Sequence, residues 1–145
     1  MECFIEFAYN DELVFKRIYE LIEYIKKQKE LENLDSDDST ILNFYTEEEL
    51  EYYWWPSEEE NKDFWVKYYS LSNEERYLLL KEKPWDLESV IYAINTGEYT
   101  INGVVVDKKY NARLYFDPWS FPYGGTEPLI ELIKPFNIKI IRVEN

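Results

Sequence analysis

The sequence predicts an α+β fold in which a helical N-terminal half packs on a small mixed sheet from the C-terminal half. Three observations carry this expectation. Apolar residues recur at helical spacing in the first hundred positions, and three hydroxyl-x-x-glutamate capping boxes punctuate the same half. Short β-branched or aromatic runs bounded by turn residues then fill positions 98–145. At 145 residues the chain has the usual size of one domain, and 46% apolar residues are enough for one core. An aromatic content of 19% opposes disorder, which goes with few aromatics.

Taken in order, Val14, Ile18, Leu21, Ile22 and Ile25 form one apolar stripe and predict a helix from about residue 11 to 31. The polar stretch Asn33–Thr40 reads as a loop. Thr46–Glu49, Ser57–Glu60 and Ser72–Glu75 are capping boxes and predict helices at about 47–54, 58–69 and 73–81. Pro56 stops the first of these, because the residue before proline is pushed out of the α region. Phe64, Trp65 and Tyr68 give the second an aromatic face. Asp86 caps a further helix with Leu87, Val90, Ile91 and Ile94 on one side, and Gly97 is expected to end it in the left-handed conformation.

The strand-like runs are Tyr99–Ile101, Val104–Val106, Arg113–Phe116 and Ile138–Val143. Asn102-Gly103 predicts a hairpin turn between the first two. Thr126 is expected to cap a helix through about Pro135, with Leu129, Ile130, Leu132 and Ile133 toward the sheet. Strand, helix and strand in that order suggest a right-handed parallel crossover. One domain, 1–145, is therefore expected, mainly helical over 1–97 and β-rich over 98–145.

The charge is distributed unevenly. Net charge is −14, yet residues 98–145 hold six acidic and six basic side chains, so the excess lies entirely in the helical half. Residues 30–63 alone carry 13 carboxylates against the single Lys62. Such a field repels phosphates and anionic lipid and attracts basic proteins, which predicts no nucleic-acid or membrane partner. No apolar run approaches the roughly 18–20 residues that span a bilayer. MECFIEFAYNDEL lacks the basic and apolar segments of a signal peptide, and the single Cys3 excludes an internal disulfide; both suit a cytoplasmic protein.

Catalytic chemistries narrow in the same way. With no histidine, Ser-His-Asp and Cys-His catalysis and His-ligated zinc are excluded. One cysteine excludes thiolate clusters, and no phosphate- or dinucleotide-binding glycine pattern occurs among the four glycines. Neither cofactor nor metal is expected. Asp35, Asp37 and Asp38 are oxygen-rich, but the glycine and terminal glutamate of a calcium loop are missing at the required spacing, so they read as a solvated acidic loop.

Two segments are candidate sites. The first is the acidic loop with the run TEEELEYYWWPSEEE, where Asp35, Asp37, Asp38, Glu47, Glu48, Glu51, Tyr52, Trp55, Glu58 and Glu59 form a candidate partner-binding face. Leu50, Tyr53 and Trp54 share the side expected to face the core. First-turn glutamates complement the helix dipole, but this does not explain so many over 34 residues, and Tyr and Trp beside charge suit binding hot spots. Neutralising Glu47, Glu48, Glu49 and Glu51 is expected to weaken association and leave folding intact. The second segment is the loop 118–125 and its flank, where Trp119, Phe121, Tyr123, Gly124, Gly125 and Thr126 are a candidate ligand loop for a small molecule or carbohydrate, bound or hydrolysed. For that segment, aromatics plugging the core are the competing explanation.

The stretch DPWSFPYGGTEPLIELIKPF (Asp117–Phe136) resembles a tail of small bacterial proteins of uncharacterised families, in which an aromatic-Pro-Tyr-Gly-Gly-Thr turn precedes a helix. In size, charge and fold type the chain also resembles the small acidic immunity proteins that accompany bacterial toxins. The latter resemblance implies a non-catalytic cytoplasmic protein that binds a basic toxin, and no residue-level role follows from it. A structural or regulatory subunit is a further alternative, whose sign would be an extended exposed apolar patch.

Overall fold

The computed structural model describes residues 2–119 and 126–145. Its strands are β1 (Cys3–Ala8), β2 (Tyr99–Lys108), β3 (Asn111–Pro118) and β4 (Lys139–Glu144), in the spatial order β2-β3-β1-β4. The helices are α1 (Glu12–Glu30), α2 (Glu47–Leu50), α3 (Glu58–Tyr69), α4 (Asn73–Glu82), α5 (Leu87–Thr96) and α6 (Thr126–Ile133), with 3-10 turns at Ser39–Phe44 and Lys134–Phe136. The class is α+β, as predicted.

The sheet departs from prediction in three places. First, every neighbouring pair is antiparallel, so the sheet is not mixed. The crossover β3-α6-β4 does join two strands of like direction, but β1 lies between them. This strand comes from the N-terminal segment, where no strand was expected. Its alternation is hidden because both of its faces are buried, as in any fully covered strand. Cys3, Ile5 and Phe7 face the core, while Phe4 and Glu6 on the other face lie under Arg113 and Arg142. Glu6 accepts from Arg113 Nε at 2.9 Å and faces Arg142 Nε at 3.8 Å.

Second, Asn102-Gly103 is a bulge inside β2 rather than a hairpin turn. Gly103 has φ +129°, a conformation only glycine adopts readily. The extra residue shifts the pleat by one, so Ile101 opposes Phe116 and Val104 opposes Leu114, all on the core face. The chain reverses at Tyr110 instead, in the left-handed region, where its carbonyl accepts from Tyr9 N–H.

Third, Gly97 follows α5 with φ −65°, not in the left-handed conformation. The helix end needs no glycine cap because the Lys29 ammonium donates to the carbonyls of Ile94, Asn95 and Gly97. Burial there holds the Lys29 pKa below its usual value. Glycine is required for a different reason: a Cβ would stand 2.3 Å from the Tyr99 ring.

The core helices follow the predicted stripes. Ile18, Leu21, Ile22 and Ile25 of α1 are buried, and Asp11 caps its start by accepting from Leu13 N–H. Leu87, Val90, Ile91 and Ile94 of α5 are buried under a cap made by Asp86. Leu129, Leu132 and Ile133 of α6 are buried as well. Helix α1 packs on β2 and α5 packs on α6, and these stripes join the inner face of the sheet in one continuous apolar cluster. No helix among the described residues is long and apolar enough to cross a membrane.

Candidate partner-binding face

Helices α2, α3 and α4 contain no buried residue. All three predicted capping boxes are formed, so the helices are specified locally even though tertiary burial adds little. The first is shorter than expected and stops at Leu50, before a turn that carries Tyr52 to Pro56. Trp54 N–H then donates to Trp85 carbonyl at 2.9 Å, closing an excursion of the chain that contains α3 and α4.

The base of this excursion is pinned to the body. Arg17 Nη1 and Nη2 reach the two Glu49 oxygens at 2.5 and 3.0 Å, and Nη1 also donates to Phe44 carbonyl. Burial raises the Glu49 pKa, but the hydrogen bonds from Arg17 and the Thr46 backbone outweigh it and hold the carboxyl below its usual value. Glu49 is therefore structural, contrary to its grouping with the neighbouring glutamates. The Tyr45 hydroxyl donates to Leu132 carbonyl at 2.6 Å and the Tyr53 hydroxyl to Glu131 carbonyl at 2.8 Å, fastening the segment to the end of α6. Tyr53 is buried, and Leu50 and Trp54 are half-buried, which matches the side assigned to the core.

The remaining candidates lie outward. Glu47, Glu48, Glu51, Glu58 and Glu59 are exposed. Tyr52 and Trp55 are 44% and 51% exposed, yet both are held in place. The Tyr52 hydroxyl donates to Glu131 at 2.5 Å, and Trp55 Nε1 donates to Leu50 carbonyl at 2.8 Å; burial and then the bond to Glu131 push the Tyr52 pKa up. Asp35 and Asp38 serve the loop itself: Asp35 accepts from Asp37 N–H, and Asp38 accepts from Thr40 N–H and the Tyr24 hydroxyl. The hydroxyl bond lowers the Asp38 pKa.

The fold also gathers residues that no sequence window joined. Trp54, Trp55, Trp65, Lys83, Asp86 and Glu88 border an open groove of ≈ 520 Å³ that continues toward Asp37 and Asp38. The Glu88 pKa is raised by burial and by the charges of Asp37 and Asp86, so the acidic loop and the start of α5 share one negative field. Glu88 and Asp86 lie outside the acidic stretch 30–63, whereas Trp55, Glu58, Asp37 and Asp38 were already candidates in the sequence and Trp65 belongs to the aromatic face of α3. Lys83 Nζ stands 5.6, 5.4 and 5.8 Å from the ring centroids of Trp54, Phe64 and Trp65.

Beyond the groove, the α3–α4 hairpin is braced by Arg76, which donates to the carbonyls of Tyr68 and Tyr69 and lies over both rings. It leaves Val66, Tyr69, Tyr77, Leu78 and Leu80 exposed. Among the described residues no group of three or more acidic or cysteine side chains is arranged to hold a metal ion.

Of the candidate ligand loop, Phe121, Tyr123, Gly124 and Gly125 lie outside the described residues, and Thr126 is the first residue of α6. Trp119 is largely exposed; its Nε1 donates to the Thr100 hydroxyl, and its ring borders a ≈ 270 Å³ depression with Lys26, Lys29 and Tyr99. A larger depression, ≈ 610 Å³, lies along β2 and β3 beside Glu2, Asn102, Tyr115 and Asp117, away from the acidic segment.

No family model matches the chain, and no curated protein and no solved structure matches it.

Proposed function

We propose that the protein is a non-catalytic binding domain that engages a basic partner protein through its acidic face, as an inhibitor or immunity protein does. A toxin with a cationic nucleic-acid site is the partner such a face fits, with inhibition by occlusion. One observation carries the reading: Tyr52 and Trp55 are half exposed but rigidly hydrogen-bonded, amid five exposed glutamates. Aromatics whose rotamers are already fixed lose little entropy on binding, and surrounding charge raises the rate of encounter with an opposite surface.

The test compares the native chain, immobilised, with the variant Glu47→Gln, Glu48→Gln, Glu51→Gln, Glu58→Gln, Glu59→Gln. Glu49 is left intact because it anchors Arg17. Basic proteins from the native host should be captured at low salt and released as the Debye length shrinks toward about 3 Å at 1 M. The variant should keep its circular dichroism spectrum and lose affinity by about tenfold or more. Capture of no basic protein at low salt, or equal capture by the variant, contradicts the proposal.

A second reading, a subunit of a larger assembly, is supported by the exposed apolar side chains of α3 and α4. It predicts association that persists at high salt, because apolar contact is not screened.

A further inference from the structure

The groove at the foot of the α3–α4 hairpin combines two features that recognise an organic cation. The rings of Trp54, Phe64 and Trp65 lie around one point, and the carboxylates of Glu58, Asp86 and Glu88 line the groove beside it. The chain itself shows that the point suits an ammonium, since Lys83 Nζ lies within 6 Å of the ring centroids of Trp54, Phe64 and Trp65, the range in which a cation is attracted to a ring face. We propose that this cage receives a lysine side chain of the basic partner, and that Lys83 fills it in the free chain. The inference rests on the acidic-face reading and adds to it the place where that face reads one residue.

Several details make Lys83 a replaceable occupant. The carboxylate it faces, Asp86, is 3.7 Å away, beyond hydrogen-bond length. Asp86 is meanwhile committed to the α5 cap, accepting from Ser89 N–H at 3.0 Å and from the Ser89 hydroxyl at 2.7 Å. Lys83 follows the last residue of α4, on the short connection to α5, so its side chain can leave without unwinding a helix. Exchange of one ammonium for another costs the rings nothing in cation contact. The incoming lysine also meets Glu58, Glu88 and the exposed Trp55, which line the same groove as Lys83. A lysine stem is an apolar chain with a compact charge at its tip, and a channel with aromatic walls and an acidic rim matches both parts.

The probe is a blocked hexalysine peptide, titrated at low salt into the full chain, with the side-chain indole N–H signals of the tryptophans followed by NMR. The signals of Trp54, Trp55 and Trp65 should move, while that of Trp119, bonded to Thr100 beyond α5, should stay. Lys83→Ala, which empties the cage and removes a competing charge, should tighten hexalysine binding by about three- to tenfold, and Trp65→Leu should weaken it by a similar factor.

If hexalysine shifts the amides of Glu47–Glu59 while the three indoles stay still, the cage proposal is overturned and the acidic face survives. If Lys83→Ala weakens binding while its spectrum stays native, Lys83 is a structural pin and the proposal fails. Should Lys83→Ala disturb the fold, Lys83→Gln carries the same test, because it also removes the competing charge. An absence of any shift at low salt overturns both readings together.

Discussion

The body of the protein and the excursion from α2 to α4 are both helical and both capped, yet one is held by burial and the other by polar and aromatic contacts at its base. The difference lies in how their apolar residues are spaced. In α1 and α5 they fall at i, i+3, i+4 and i+7, so one side of each helix is buried in full. In α4, Tyr77, Leu78, Leu79 and Leu80 are consecutive and wrap around the axis, so no single side can be buried. In α3 the half-buried Phe64, Trp65 and Tyr68 pack on the base of the excursion, on one another, on Tyr69 and on Arg76 of α4. A capping box can therefore specify a helix without giving it a place in the core. Apolar side chains left outside in this way are available to a partner.

Mutations in the two regions should differ in cost. Leu114, fully buried where β3 crosses the centre of the sheet, should cost about 2–5 kcal/mol when cut to alanine, read by urea unfolding. Gly97→Ala should cost about 1–3 kcal/mol, because its new methyl collides with the Tyr99 ring although the backbone angles suit alanine. A neutral effect would mean that α5 and β2 can separate more easily than the packing implies.

Glu49→Gln tests the seam between the two regions and should cost about 1–3 kcal/mol at neutral pH, from the loss of a charge-assisted pair with Arg17. Because the folded Glu49 pKa lies below its ordinary value, this stabilisation is fully present above the unfolded pKa of about 4.3 and is lost as pH falls through the folded value. Urea midpoints of native chain and variant should accordingly converge in acid. A gap that persists there would assign the loss to packing.

The smallest effect is expected from Leu78→Ala, within about 0.5 kcal/mol, since the side chain is exposed in α4. A loss comparable to that of Leu114→Ala would show that the hairpin belongs to the core and would dissolve the comparison.

What could be read in advance follows the range of the interactions concerned. Caps at Thr46, Ser57, Ser72 and Asp86 act over three residues, and all four are formed. The stripes of α1 and α5 and the concentration of charge between Glu30 and Asp63 are likewise properties of contiguous sequence. The outward position of Glu47, Glu48 and Glu51 followed from the phase of the same segment.

Other features needed residues far apart in the chain. Strand β1 is identifiable only once β3 and β4 flank it and two arginines cover its second face. Asn102-Gly103 suits a turn locally, but pairing along β2 and β3 makes it the bulge that aligns Val104 with Leu114. Gly97 became necessary through the Tyr99 ring, and its expected capping role passed to Lys29, more than sixty residues earlier. The sequence by itself determined the class, the helices and the sign and place of the charge, because these depend on near neighbours. Only the tertiary structure decided which glutamate is structural, which strand is central, and that Lys83 sits among three rings beside the acidic loop, because those contacts are chosen by the packing of distant segments.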